Sequence, residues 1–389
     1  MDINFGKLDK INVKAYSVNK PNTISQVTDD IYEEIDYSKP FPEELSHTPK
    51  EKLCFFGEDI VCPSPELVTA YIRKCQNVYF RTDKFNSYKT FRDCLVTDKF
   101  TSKPLRDTSY ATQGCCEING VVCITSYDTG YSDIFDTFGK NKKKPSVLSL
   151  ADSEGRQKNL FFDNYAHVGG IAYHEGSNRA FVPGVSIVTD ENGNPVEKKC
   201  INIYDTDTFA SAKNNEVITP EKCVTLDENI GGVTTASYLT VYGDNLFAGV
   251  FEKGGYGTIN KYEIDPNGNL MCVSSITPPV KNVQGMCVYK YNNTEYYVFS
   301  SSYGRDNDST LYIGTLNSDG TFTETTRIKM PCMSEQVSVD GDGNLMIVFE
   351  SDCIKYGDGA DSLGFAKANK QVGNVCYLDV EKIMAGVNS

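Results

Sequence analysis

Residues 283–304 read VQGMCVYKYNNTEYYVFSSSYG. Two apolar runs flank the turn YNNT (291–294), whose asparagines tolerate the positive φ angles of a tight turn. The stretch therefore predicts a β-hairpin. A further apolar run, STLYIGTLN (309–317), follows a polar loop, so one short segment supplies three predicted strands.

The same arrangement occurs five times along the chain. Each copy has an apolar strand, a turn rich in Gly, Asn or Asp, and a second apolar strand. A third strand follows in all five copies and a fourth in four of them, at intervals of roughly 50 to 65 residues, the spacing of a four-stranded propeller blade with its loops. The five hairpins are TQGCCEINGVVCITSYD (112–128), HVGGIAYHEGSNRAFVPG (167–184), GGVTTASYLTVYGDNLFAGVFE (231–252), the stretch at 283–304, and MSEQVSVDGDGNLMIVFES (333–351).

The fifth copy lacks a fourth strand after NVCYLDV (374–380), and CLVTDKFTSKPL (94–105) stands unassigned before the first copy. A ring of blades needs its two ends joined, so an N-terminal strand is expected to complete the last blade. The sequence therefore predicts an all-β fold: a five-bladed β-propeller over residues 94–389, closed by an N-terminal strand. Six blades is the alternative count.

Residues 1–93 do not follow the repeat and are predicted to form an extension that packs on the propeller and contains one or two helices. Ser64, Pro65 and Glu66 make a well-formed helix start before LVTAYIRKCQNVYF. The segment SYKTFRDCLV (87–96) is the second candidate helix.

The repeat resembles the β-propeller superfamily over residues 94–389. The combination of QG, SSSYGR, MSEQ and FES, in that order, also resembles a group of uncharacterised bacterial propeller proteins. This resemblance implies a fold and no particular activity.

Composition narrows the classes of partner. The formal net charge of −14 disfavours nucleic acid, which is bound by basic surfaces. The chain has no apolar run long enough for a membrane span and no apolar leader at its start.

The 14 cysteines are spread out, several of them in strand-like runs, which favours free thiols in a cytoplasmic setting. With three histidines and no C-x2-C pair, we expect no metal site and no cofactor.

Up-and-down topology places the start of each first strand and the end of each second strand at the same end of the channel, where propellers commonly bind ligands. Polar residues at these positions are therefore expected to converge. The candidate ligand-binding residues are Gln113, Tyr127, His167, Gln284, Tyr303 and Arg305. The candidate acid–base carboxylates are Glu335, Glu350, Glu252 and Asp128.

Three functions fit this set of side chains. The first is binding of a small polar ligand of carbohydrate-like chemistry by amides, carboxylates and aromatic rings. The second is a hydrolase or lyase at the same place, with two of the carboxylates as acid and base. The third is a scaffold whose rim binds another protein. Structural roles compete with these functions, because Gln113 and Gln284 recur before a glycine and could tie blades together, and His167 could pack beside Gly169 and Gly170.

Overall fold

The computed structural model describes residues 82–387, except positions 98, 100, 133–142, 153–155, 190–193, 227–233 and 318, together with four short N-terminal strands. These strands form two antiparallel pairs: β1 (Lys10–Asn12) with β2 (Asp36–Phe41), and β3 (Lys52–Phe55) with β4 (Glu58–Val61). The helix predicted from Ser64 lies outside the described residues. A fifth short strand, β5 (Thr101–Ser102), precedes the repeats.

The repeats form five sheets, each containing four antiparallel strands that run from the channel outward. Blade 1 contains β6 (Tyr110–Ile118), β7 (Val121–Asp128), β8 (Val147–Ala151) and β9 (Gln157–Phe162). Blade 2 contains β10 (Ala172–His174), β11 (Arg179–Thr189), β12 (Pro195–Asp205) and β14 (Lys222–Thr225). The short strand β13 (Val217–Ile218) lies between β12 and β14 in the chain but pairs in parallel with β9 of blade 1.

The last three blades follow the same plan. Blade 3 contains β15 (Tyr238–Tyr242), β16 (Asn245–Gly249), β17 (Ile259–Ile264) and β18 (Leu270–Ile276). Blade 4 contains β19 (Val283–Tyr291), β20 (Thr294–Ser301), β21 (Ser309–Leu316) and β22 (Phe322–Met330). Blade 5 contains β23 (Ser334–Val339), β24 (Leu345–Phe349), β25 (Asn374–Leu378) and β5.

The ring is closed, which confirms the five-bladed β-propeller. The innermost strands contact their neighbours in the order β6, β10, β15, β19, β23, and β23 contacts β6 again. In blade 5, β25 pairs with β5 through Asn374–Ser102 and Val375–Thr101. The N-terminal strand therefore completes the last blade as predicted, and the six-blade alternative is wrong.

A buried ion pair reinforces this closure. Lys103, directly after β5, is 1% exposed, and its Nζ donates to the Phe349 carbonyl oxygen at 2.5 Å and to the Asp352 carboxylate. Both partners lie at the end of β24 or just beyond it. The side chain thus ties the start of the propeller to the final blade by buried, charge-assisted hydrogen bonds.

Short helices cover parts of the ring. The described helices are α1 (Lys89–Cys94), α2 (Thr206–Ser211), α3 (Ile354–Gly357) and α4 (Val380–Val387), with single 3-10 turns at Thr82–Phe85, Glu175–Ser177 and Ala360–Ser362. Helix α1 confirms the helix expected within SYKTFRDCLV. Its Phe91 packs edge-on against Phe349, with ring centroids 6.2 Å apart, and joins the core between blades 4 and 5. No helix in the described part of the chain is long and apolar enough to cross a membrane.

The blade cores are built from the apolar strands, and cysteines take part in them as small hydrophobic residues. Free, buried cysteines occur inside strands of blades 1, 2, 4 and 5, namely Cys115, Cys116, Cys123, Cys200, Cys287 and Cys376. Cys272 in blade 3 is half-buried, because β18 is an outer strand with one face toward solvent.

Three of the innermost strands contain a β-bulge near their start. In β6, Thr112 pairs with Ser126 and Gly114 with Thr125, so Gln113 is the extra residue. In β19, Gln284 is the extra residue in the same way, between Val283 and Gly285. A bulge bends the strand and turns side chains away from the usual alternation.

The third bulge lies in β23. Ser334 pairs with Phe349 and Val337 with Ile347, so Glu335 and Gln336 both lie opposite the single residue Val348. The innermost strands of blades 2 and 3, β10 and β15, pair in regular register. The bulges therefore distinguish blades 1, 4 and 5 from blades 2 and 3.

Candidate functional site

Two carboxylates meet at the end of the channel where the innermost strands begin, which we call the upper mouth. Glu335 comes from the bulge of β23 and is 3% exposed. Glu350 directly follows β24 and is half-buried. The two carboxyl groups lie within hydrogen-bonding reach of each other. Two carboxylates share a hydrogen bond only when one of them carries a proton, so this proximity favours a shared proton.

Each glutamate also receives a hydrogen bond from an amide in another blade. Gln113 Nε2 donates to Glu350 Oε2 at 3.0 Å, and Gln284 Nε2 donates to Glu335 Oε1 at 3.3 Å. Both amides are the extra residues of their bulges. The three bulges thus converge on one carboxylate pair and fix its orientation.

The surroundings favour the protonated forms. Burial raises the pKa of Glu350 to about 7, while the Gln113 amide and the charges of Lys355 and Arg305 act in the opposite direction. Burial and the nearby charge of Glu350 raise the pKa of Glu335 well above its ordinary value. Two carboxylates in contact titrate as one unit, and this unit retains a proton near neutral pH.

Aromatic side chains stand beside the pair. The hydroxyls of Tyr127 and Tyr356 are 3.1 Å apart, and the rings of Tyr127 and His167 lie with centroids 4.2 Å apart. Burial and the charge of Glu350 raise the pKa of both tyrosines, so both hydroxyls stay protonated. The site therefore offers hydroxyl hydrogen bonds and aromatic faces next to a proton-sharing acid.

His167 is uncharged at neutral pH. Part of the side chain is open to solvent. Loss of hydration and the positive charges of Lys143, Lys355 and Lys199 nevertheless lower the pKa of its ring to about 4. The ring thus presents a neutral donor and acceptor.

Two cations border the aromatic cluster in different ways. Arg305 forms a bidentate pair with Asp361, at 2.9 and 2.5 Å, and also donates to the Ala366 carbonyl oxygen at 2.5 Å. Its guanidinium stacks 4.8 Å from the Tyr356 ring. Arg305 therefore fastens the loop between β24 and β25 to blade 4.

Lys355 has its Nζ 4.8 Å from the centre of the Tyr356 ring and 5.9 Å from that of Tyr131. Burial lowers the pKa of its ammonium, and the charges of Asp361 and Glu350 oppose this effect. Within the described residues it forms no ion pair, so its charge is available to a ligand at the upper mouth.

The remaining predicted carboxylates lie apart from the pair. Asp128 is buried, and its Oδ2 accepts from the Lys144 backbone N–H at 2.7 Å, which ties the residues just before β8 to the end of β7. Glu252 is exposed and accepts from the Gly257 N–H at 3.1 Å within the loop after β16. Both carboxylates serve their own loops in these contacts.

Tyr303 lies at the rim, 41% exposed, with its ring 6.5 Å from that of Phe251 and the Lys253 Nζ 4.9 Å above it. These partners belong to the loop after β16, so Tyr303 joins blades 3 and 4 at the rim. Its neighbour in sequence, Arg305, contacts blade 5 instead, and the motif SSSYGR thus connects blade 4 to the loops on both sides.

Gln336 crosses the channel below the pair. It is 1% exposed; its Nε2 donates to the carbonyl oxygens of Ile171 at 2.7 Å and Leu239 at 3.0 Å, and its Oε1 accepts from the Ile171 N–H at 2.8 Å. A Cβ on Gly114 would lie 2.6 Å from Gln336 Oε1, and one on Gly285 would lie 2.6 Å from Gln336 Cα. The recurring Gln-Gly is now explained: glutamine reaches the carboxylates, and glycine leaves room for Gln336.

Sequence reasoning missed Gln336, Lys355 and Tyr356. Loops that follow second strands are expected to overhang the mouth, and this expectation identified Glu350 and Arg305. Lys355 and Tyr356 lie further along the loop that follows Glu350, where α3 turns them back toward the site. Among the residues that the structure describes, no group of three His, Cys, Asp or Glu side chains is arranged to hold a metal ion.

No family model matches the chain, and no curated protein matches it. Solved structures of similar fold include a sucrose-6-phosphate hydrolase from Lactobacillus gasseri, with 14% identity, a TM-score of 0.44, and coverage of 78% of this chain and 63% of that one. An exo-inulinase from Aspergillus awamori has 12% identity and a TM-score of 0.39 over 72% of this chain and 62% of that one. A GH43 protein, BlXynB from Bacillus licheniformis, has 12% identity and a TM-score of 0.37 over 64% and 50%. Similarity at this level concerns the fold and not the chemistry of the site.

Proposed function

We propose that the upper mouth binds a small polar, carbohydrate-like ligand and that Glu335 and Glu350 perform acid–base chemistry on it, as in a hydrolase or lyase. The observation that carries this proposal is the pair of adjacent glutamates, held by one amide from each of two other blades. Carboxylates with strongly shifted pKa values, held by side chains from several blades, are typical of functional sites.

Glu350 is the proton-transferring member of the pair in this proposal. With a pKa of about 7 it can release and take up a proton at neutral pH, where a general acid or base is most effective. Glu335, the more buried of the two, keeps the shared proton in this proposal when Glu350 is ionised. Gln113 and Gln284 orient the two groups.

The contact between the carboxyl groups bears on the type of reaction. Glycosidases that use two carboxylates place them on opposite sides of the scissile bond, about 5–9.5 Å apart. Glu335 and Glu350 touch, so they act as one acid–base unit from one side of a ligand. This arrangement favours a proton transfer at a single atom, as in elimination, over double displacement between the two glutamates.

Binding without turnover is the second candidate. It is supported by the hydroxyls of Tyr127 and Tyr356, the neutral ring of His167 and the ammonium of Lys355, which are groups that hold polyhydroxylated or anionic molecules without chemical change. The protein-interaction alternative has no comparable support among the described contacts.

A ligand screen with matched variants tests the proposal. Thermal shift is measured with neutral and acidic oligosaccharides, and each hit is followed for new reducing ends and for absorbance from a new double bond. We expect Glu350→Gln to bind a hit within about 3-fold of wild type but to lose turnover by about 10²–10⁴-fold. Glu263→Gln, at an exposed carboxylate on β17, is the control and should retain both.

Hits that bind wild type, Glu350→Gln and Tyr356→Phe equally well and with no turnover in any of them would place the site elsewhere. Binding that Tyr356→Phe weakens, without turnover in wild type, would instead support the second candidate.

A further inference from the structure

The channel also has a large opening at its other end. Below Gln336, which forms its roof, lies a cavity of about 980 Å³, which we call the lower cavity. Its walls are the far ends of the five innermost strands and the hairpin turns that follow them. The volume is within the range of sites for small ligands, about 300–1,000 Å³. Because Gln336 bridges the blades between the two openings, the lower cavity is a site distinct from the upper mouth.

Tyrosines line the lower cavity from three sides. Tyr173 comes from blade 2, Tyr242 from blade 3, and Tyr289 and Tyr291 from blade 4. Tyr289 is buried and forms part of the wall, whereas the other three are half-buried and offer a partly exposed ring surface or edge. Aromatic rings around a cavity provide both apolar contact and the negative π-faces that attract cations.

The charges of the lining are strongly unequal. Seven acidic residues and one lysine, Lys290, line the cavity. Lys99, behind the wall, pairs with Asp340 at 2.9 Å and Asp342 at 2.7 Å, and lies 3.7 Å from Glu117. Lys382 lies 3.8 Å from Asp379. These two lysines balance part of the lining and leave the remaining carboxylates uncompensated.

Glu175, Asp244 and Glu381 carry this excess. Asp244 contacts His174 Nε2 at 3.1 Å, and Glu381 accepts from the Tyr291 hydroxyl at 2.9 Å. In the described part of the chain, no lysine or arginine forms an ion pair with any of the three. All three are exposed to solvent, so they give the entrance of the cavity a negative potential.

From the cavity, the tyrosines and the unbalanced carboxylates together, we infer that the lower cavity binds an organic cation, an alkylammonium or guanidinium group carried on a slender aliphatic chain. The aliphatic part would lie against the tyrosine rings, and the charged end would approach Glu175 and Asp244. The same chemistry occurs in free polyamines and in lysine or arginine side chains of a protein segment, and the experiment below separates these sources.

Binding is measured by isothermal titration calorimetry with spermidine and with the acetylated, amidated tripeptide Lys-Ala-Lys, using the full chain at low and at physiological salt. We expect saturable binding of at least one probe, weakened at least 10-fold in the double variant Glu175→Gln/Asp244→Asn. Both replaced side chains are accessible from solvent, so the fold should persist. Tyr242→Leu, which removes one ring, should weaken binding about 3–10-fold without changing the net charge.

A second double variant controls for the general attraction of a cation to an acidic protein. Glu197→Gln/Glu263→Gln removes the same charge from exposed positions outside the cavity and should leave affinity within about 2-fold. Tighter binding of the tripeptide would identify a protein segment as the source, and tighter binding of spermidine a free amine. Equal weakening in both double variants, or no saturable binding of either probe, would overturn the inference.

Discussion

Blades 1, 4 and 5 differ from blades 2 and 3 in how they meet the channel. The first group begins with bulges that carry Gln113, Gln284, and Glu335 with Gln336. The second group begins with regular pairing and presents backbone groups of Ile171 and Leu239 to the channel, which bind Gln336. One set of blades supplies side chains and the other supplies the backbone against which they are fixed.

This difference shows how a repeated fold becomes asymmetric at one site. A regular innermost strand alternates its side chains between the two faces of its sheet, where they pack against the neighbouring blades. An extra residue breaks that alternation and frees one side chain to point along the channel. Three such insertions bring two amides and the Glu335 carboxylate to Glu350, which follows β24. The bulges, more than the blades themselves, create the upper mouth.

The largest expected effect concerns blade 5, the bulged blade whose outermost strand is β5. Lys103→Met leaves the buried Asp352 carboxylate without its cation, and we expect a loss of about 3–5 kcal/mol in the free energy of unfolding. Chemical denaturation measures the loss, and hydrogen exchange should rise first in β5 and β25. Lys329→Met, at an exposed lysine that pairs with Asp308 at the surface, should cost about 1 kcal/mol or less; equal losses would contradict the closure role of Lys103.

A smaller effect is expected when the contact between the two groups of blades is removed. Gln336→Leu leaves the Ile171 N–H and the carbonyl oxygens of Ile171 and Leu239 without their partner, at a cost of about 2–4 kcal/mol. Thermal and urea unfolding measure the change. The control is Gln371→Leu at an exposed position with one hydrogen bond, which should cost less than about 1 kcal/mol. If Gln336→Leu leaves the free energy of unfolding nearly unchanged, the hydrogen bonds of Gln336 between blades do not stabilise the fold.

The smallest expected effect concerns pH. The pKa of each glutamate is raised on folding, so the native state binds protons more tightly and loses stability as pH rises through the folded pKa of about 7 for Glu350. The pKa of His167 is instead lowered to about 4 on folding, so its contribution to the free energy of unfolding decreases as the pH falls below about 6.5. The range from pH 6.5 to 8 therefore avoids the titration of His167, and comparison with Glu335→Gln removes the contribution of Lys158, whose pKa burial lowers to about 8.

Between pH 6.5 and 8, the free energy of unfolding of wild type should fall by about 1 kcal/mol more than that of Glu335→Gln. The amide introduced by this substitution cannot ionise and can donate a hydrogen bond to Glu350. Glu263→Gln should follow wild type. If Glu335→Gln shows the same slope as wild type, the glutamates do not share a proton in solution.

The sequence was sufficient for the blade count, the strand assignments and the closing strand, since these follow from repeated hydrophobic patterns and turn residues. It also indicated Glu335, Glu350, Gln113 and Gln284, because their positions at strand ends face one end of the channel. It did not separate them from Asp128 and Glu252, whose partners are backbone groups within their own loops.

The bulges and Gln336 depend on information that one strand does not contain. A bulge is a difference in register between two strands, and it appears only when both are aligned. The partners of Gln336 are main-chain groups in blades 2 and 3, and those have no signature in residue type. The lower cavity likewise arises from five hairpin ends that only the closed ring brings together.

The pairing of Ser102 with Asn374 also sets an order of events during synthesis. Strand β5 leaves the ribosome before any complete blade, yet its partner β25 is made almost last. At about 5–20 residues per second, the interval is on the order of tens of seconds. Throughout that time the backbone edge of β5 has no native partner, and the ring cannot close. The glutamate pair, which needs blades 1, 4 and 5 together, is therefore assembled only when translation of the propeller is nearly finished.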